Sequence, residues 1–319
     1  MRNVGLGAGL LGLGAYTVST LLVQNQGEGD KDNMRTDNRQ HPWPPQDRLA
    51  LCDEAKGPDG FTKQWKNAMG YEIFSYFWPT THAEPKGVLL LLHGHGVNVP
   101  FEFLTRSGVG KERVYEGSWI QALNKIGYSC CGIDVQSMGR SAGFGGLRSY
   151  FESFEDVIAD DFAFIEKMAD LGGDKFSKGL PLFPFAVSMG GARATMMILR
   201  NESVFKAALL YAPMLLLERI SKQGLNRFLR PLIAIFNLVG PTWRLAGEAK
   251  SKFPNLQEEF DNDFFSDHSG ESNFRVLLLH LFYSDASAAW IAHFLAPKVP
   301  RGSGWPASTS RSQSTSWPT

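Results

Sequence analysis

Hydrophobic and polar positions along this 319-residue chain follow two alternating rhythms. Gly70 to Pro79 alternates and is rich in aromatic residues, which predicts an antiparallel strand. Pro85-Lys86-Gly87 predicts a turn. The unbroken apolar run Val88-Leu89-Leu90-Leu91-Leu92 suits a central parallel strand. Ser118 to Ile126 reads as a short helix closed by Gly127, and Tyr128 to Asp134 as the next strand, followed by the turn-rich loop Val135 to Ser141. Phe154 to Asp170 is an amphipathic helix, with Val157, Phe162, Phe164, Ile165 and Met168 on its buried side and Glu155, Asp156 and Glu166 facing out. A second apolar run, Leu182 to Val187, stops at Ser188, and a helix-forming stretch continues to Arg200. Phe205 to Pro213 predicts one further buried strand. Strands alternating with helices predict a mostly parallel α/β sheet with right-handed crossovers. Its site is then expected at the carboxyl ends of the strands.

The chain ends carry different patterns. Val4 to Val23 contains no charged residue and has about the length needed to span a bilayer, with Arg2 ahead of it. Residues 1–23 are therefore expected to be a signal anchor or signal peptide, the anchor being preferred, and the protein to be membrane-anchored or in the secretory pathway. A buried glycine-rich helix is the alternative. Residues 24–48, with Pro42, Pro44 and Pro45, form a polar linker. A core is expected over 49–213, a cap over 214–260, and a residual core segment over 261–296. Residues 297–319 are a low-complexity tail that cannot build a core.

Composition narrows the function. Apolar content of 43% supports a sizeable core. Lys+Arg and Asp+Glu balance at 32 each, which argues against a nucleic-acid partner. Cys52, Cys130 and Cys131 allow at most one disulfide, and no metal-ligand spacing of Cys and His is present.

The candidate chemistry lies in two places. Ala186-Val187-Ser188-Met189-Gly190-Gly191 has the strand–sharp turn–helix pattern of a nucleophile elbow, with Ala186 where G-x-S-x-G has its first glycine. Such a turn lifts the serine hydroxyl clear of the sheet. The plainer alternative is a helix N-cap serine. The second place is His93-Gly94-His95-Gly96, which leaves the central strand. Its backbone can meet that of the residue after the serine, so the amides of His95 and Met189 are the expected oxyanion-hole donors. The side chains of His93 and His95 are expected to shape the loop rather than transfer protons.

These motifs, with Asp134 to Ser141, Gly146 to Phe154 and Leu209 to Met214, resemble the α/β-hydrolase superfamily. Within it they are similar to the monoacylglycerol lipase / lysophospholipase group of serine aminopeptidase-like hydrolases. The match runs from about Phe61 to Met214; the family usually has Gly and His where this chain has Ser137 and Met138. The resemblance implies an α/β-hydrolase fold with a helical cap and Ser188 as nucleophile. It also implies a small lipid ester as substrate and no cofactor. The apolar patches of Leu215 to Lys252 suit an acyl chain or a membrane surface. The family's acid and histidine follow the serine, and the local candidates are Asp285 and His293. They stand only eight positions apart, too close for an intervening strand and loop. The closing strands and helix of the family are not recognisable. Either the C-terminus is truncated or misread, or the chain is an inactive, membrane-tethered binding protein on this fold. A peptidase or another ester hydrolase is a further alternative.

Overall fold

A computed structural model describes residues 49–215, 244–246, 253–267 and 271–273. Six strands form one sheet: β1 (Phe61–Lys66), β2 (Glu72–Trp78), β3 (Gly87–Leu92), β4 (Tyr128–Ile133), β5 (Leu182–Val187) and β6 (Leu209–Tyr211). Their order is β1-β2-β4-β3-β5-β6. β1 and β2 pair antiparallel, β2 joins β4 antiparallel, and the rest is parallel, so β3 is the central strand the apolar run predicts. A separate antiparallel pair joins β7 (Arg244–Ala246) to β8 (Glu271–Asn273).

Among the described residues the α-helices are α1 (Asp53–Lys56), α2 (Val99–Phe103), α3 (Trp119–Lys125), α4 (Phe154–Gly172), α5 (Met189–Arg200) and α6 (Pro254–Asp261). Three of these starts are fixed by a side-chain cap. The Asn98 side chain caps α2 by accepting from the Phe101 N–H, Ser118 caps α3 through the Gln121 N–H, and Ser153 caps α4 through the Glu155 N–H.

Strict alternation along β3 builds two cores. Val88, Leu90 and Leu92 face a layer with Val157, Phe164 and Met168 of α4 and Met197 of α5. Leu89 and Leu91 face the opposite layer, with Val99, Phe103, Ile120 and the β2 aromatics Phe74, Tyr76 and Trp78. Adjacent positions of a strand point to opposite faces, so Cys130 and Cys131 fall in different cores. All three cysteines are free thiols.

One expectation needs correction, and two features went unread. β6 is exposed, with Tyr211 at 69%, rather than buried, because it is the edge strand among the described residues. In α4, Phe162 and Ile165 are half-buried and pack against the core as expected, and Asp160 and Asp161, which the pattern did not single out, are buried as well. β1 went unread because its Phe-Thr-Lys-Gln-Trp-Lys sequence carries little aliphatic signal. Among the described residues no helix is long and apolar enough to cross a membrane. The segments 1–23, 24–48 and 297–319 lie outside the described residues, as do 216–243 of the expected cap.

Candidate active site

The turn from β5 into α5 places Ser188 at the carboxyl end of the sheet. Its backbone has φ 51° and ψ −116°, a conformation that L residues avoid. The strain is held by main-chain bonds: the Ser188 N–H donates to the Tyr211 carbonyl at 3.1 Å. The Ser188 carbonyl accepts from Gly191 at 2.9 Å and from Met214 at 2.8 Å. The residue is exposed, and its hydroxyl makes no capping bond to α5. An ordinary N-cap serine would make one.

Close packing explains the two glycines. A Cβ on Gly190 would lie 1.9 Å from the Leu92 carbonyl oxygen, and one on Gly191 would lie 2.4 Å from Pro213 Cβ. The first turn of α5 is thereby pressed against the end of β3. There the His93–Gly96 loop begins. The place a Cβ on Gly94 would occupy is 3.3 Å from Ser188 Cβ, so this loop and the serine are neighbours. His95 is half-buried in that loop, and Met189 is the buried first residue of α5. Its amide is among those with no partner inside the helix.

His93 is fully buried beneath the loop. Its Nε2 accepts the Val135 N–H at 3.0 Å, which fixes the other nitrogen as the protonated one. Nδ1 then donates to the Gly94 carbonyl at 2.7 Å. Burial, then the nearby Arg193 charge, lower its pKa to about 3, so the ring is neutral and structural.

Behind it, Asp134 at the end of β4 organises the neighbouring loops. Its Oδ1 accepts the Val99 N–H at 2.9 Å. Its Oδ2 accepts the Tyr76 hydroxyl at 2.6 Å and the Arg140 N–H at 2.8 Å. Ser137, in the loop that follows, has φ 63°, which explains why the family usually carries glycine there. Its buried hydroxyl has no hydrogen-bond partner.

Segment 253–267 contacts the loop that follows β3. The Asp267 N–H donates to the Gly96 carbonyl at 2.7 Å, and Asn98 Nδ2 donates to Asp263 Oδ2 at 3.0 Å. Arg140 stacks 3.7 Å from the centre of the Phe265 ring. Helix α6 is held by Glu259, which takes Arg106 through two bonds of 2.6 Å and Arg113 at 3.2 Å. Between α2, α3 and α6 opens a cavity of about 820 Å³. Phe101, Leu104, Trp119, Leu256 and Phe260 make its wall largely apolar, and Glu102 stands in it. Burial raises the Glu102 pKa, while the Gly94 N–H and Arg113 pull it back down.

Sequence reasoning did not single out Glu102, which the fold brings next to Gly94. Its signal was an isolated acid in the apolar run after the glycine-rich loop. Asp285 and His293 lie outside the described residues. Among the described residues no group of three His, Cys, Asp or Glu side chains could hold a metal ion.

The family described as serine aminopeptidase, S33, matches residues 107–289, more than half of the chain. A soluble variant of monoglyceride lipase from Saccharomyces cerevisiae, solved with a substrate analogue, aligns at 17% identity. The alignment covers 76% of this chain and 72% of that one, with a TM-score of 0.55. The monoacylglycerol lipase of Paleococcus ferrophilus aligns at 16%, covering 68% and 72%, with a TM-score of 0.50. A thermostable carboxyl esterase from Bacillus coagulans, in complex with glycerol, aligns at 15%, covering 71% and 72%, with a TM-score of 0.51. At these identities the likeness is one of fold. No curated protein sequence matches the chain. With the strained serine corner, the mixed sheet and the matched residues together, the chain belongs to the serine aminopeptidase, S33, family of α/β-hydrolases.

Proposed function

We propose that the chain is a serine carboxylester hydrolase of the monoacylglycerol lipase / lysophospholipase type, acting on lipid monoesters. The observation that carries this reading is the exposed Ser188, held at φ 51° beside the His93–Gly96 loop. The serine oxygen attacks the acyl carbonyl carbon, and the charge that develops on the carbonyl oxygen is taken by the amides of His95 and Met189. One such donor contributes about 3 kcal/mol in comparable sites. A base removes the serine proton and passes it to the departing alcohol as the ester C–O bond breaks. Water then releases the fatty acid from the acyl-enzyme. Asp285 and His293 are the candidates for acid and base. The apolar cavity suits an acyl chain. Val4 to Val23 would tether the protein to a membrane or route it through the secretory pathway.

A second reading, an inactive binding protein on the same fold, is favoured by the eight-position spacing of Asp285 and His293. A fluorophosphonate probe separates the two. Covalent labelling that disappears in Ser188→Ala supports the hydrolase. Folded wild-type protein that takes no label overturns it.

A further inference from the structure

Gly94 joins the two peptide planes that run from His93 to His95. The place a Cβ on Gly94 would occupy is 3.3 Å from Ser188 Cβ and 3.3 Å from Glu102 Oε2, so no side chain can be packed there to hold the loop. Side chains from elsewhere hold it instead. The His93 carbonyl accepts from Arg193 Nη1 at 3.4 Å. The Gly94 N–H donates to Glu102 Oε2 at 3.3 Å. The Gly94 carbonyl accepts from His93 Nδ1 at 2.7 Å. These bonds act on three of the four polar groups of the two planes. The fourth group is the His95 N–H, the donor that the proposed reaction uses.

Glu102 differs from the other two holders. It lies outside the motifs that carry the family resemblance, and its carboxylate reaches back over eight positions of chain. The short helix α2 gives it an anchored base. Asn98 accepts the Phe101 N–H at 2.9 Å, Asp134 Oδ1 accepts the Val99 N–H at 2.9 Å, and the Glu102 N–H donates to the Asn98 carbonyl at 3.1 Å. If the Gly94–His95 plane turned over, its carbonyl oxygen would face the negative charge that the His95 N–H is to meet. Glycine has the backbone freedom for that turn, and the bonds on the Gly94 N–H and carbonyl oppose it together.

We infer that Glu102 is a positioning residue: by accepting the Gly94 N–H, it fixes the orientation in which the His95 amide meets the ester carbonyl. It acts through the peptide and not on the ester itself. This rests on reading Ser188 as the nucleophile and the His95 N–H as an oxyanion donor. A misplacement of about 1 Å at a reacting centre can cost on the order of 100-fold in rate.

The test separates the reach of this side chain from its charge. A fluorophosphonate probe presents a phosphoryl oxygen where the ester has its carbonyl oxygen. Its maximal labelling rate, and the probe concentration that gives half of it, are measured on the full chain. Glu102→Asp keeps the charge but is one methylene too short. It is expected to lower the maximal rate roughly 10- to 100-fold and to leave the half-saturating concentration unchanged. Glu102→Met has a similar length and no oxygen. It is expected to fall likewise, which guards against a folding defect in the aspartate variant. Glu102→Gln keeps both the length and an accepting oxygen. It is expected to stay within about 5-fold of wild type, since a neutral acceptor forms the weaker bond. Three results overturn the inference alone. Aspartate and methionine variants labelled at the wild-type rate would show that the bond is not needed. A glutamine variant as slow as they are would make the charge decisive. A loss confined to the half-saturating concentration would make Glu102 a binding group only. Folded wild-type protein that takes no label overturns the Ser188 reading, and the inference with it.

Discussion

The Arg193 guanidinium and the Asp161 carboxylate form a bidentate pair, 2.9 Å from Nε to Oδ2 and 2.5 Å from Nη2 to Oδ1, with both side chains fully buried. Arg193 also reaches the His93 carbonyl at 3.4 Å. One guanidinium thus ties α5, which Ser188 precedes, to α4 and to the start of the His93–Gly96 loop. Breaking such a pair from one side leaves a buried charge without compensation. Arg193→Met and Asp161→Leu should each lower unfolding free energy by about 3–5 kcal/mol. The double variant should recover most of that loss. Urea denaturation of the three variants checks both statements.

Two buried groups give the fold opposing responses to pH. Burial raises the Asp160 pKa to about 7, even though its Oδ2 accepts from Asn67 and Gln136 at 3.1 Å each. Its folded value lies above the unfolded one. Its contribution is therefore full below about pH 4 and is lost as pH rises through 7. His93 has the reverse sign. Its folded pKa of about 3 lies below the ordinary 6.5, so its contribution is full above 6.5 and is lost as pH falls towards 3. Between the two limits the slopes oppose one another, each about 1.4 kcal/mol per pH unit. Asp160→Asn removes one of them. From pH 5 to pH 8 the variant should gain roughly 2–3 kcal/mol relative to wild type. It should also be visibly more acid-sensitive than wild type. Denaturation curves at both pH values measure this.

Ser137 offers a stabilising change. It sits at φ 63° with its hydroxyl buried and unpartnered. Ser137→Gly removes both the left-handed penalty and the orphaned hydroxyl, and should raise stability by about 1 kcal/mol. A higher thermal midpoint, with fluorophosphonate labelling unchanged, is the expected result.

The parts of the fold written in short range were legible. Val88–Leu92 could only be a covered strand, and an apolar run ending in Ser188 and two glycines already described the corner. Asp160 and Asp161 were not legible, since a helical wheel sends acids to solvent. The partner that draws Asp161 inward, Arg193, is 32 positions away. Glu102 was missed for a related reason: its partner is a backbone amide, Gly94 N–H, which no side-chain pattern announces. β6 was predicted as buried because composition reports what a strand is made of and not which neighbours cover it.

The contact of Gly190 with the Leu92 carbonyl divides the labour within this protein. Where α5 meets β3, main chain touches main chain, and position 190 has no room for variation. The cavity between α2, α3 and α6 is lined largely by residues with long side chains, Phe101, Arg113, Trp119 and Phe260 among them. Residues such as Phe101 and Trp119 on that wall can therefore change without moving the backbone that holds the Ser188 corner.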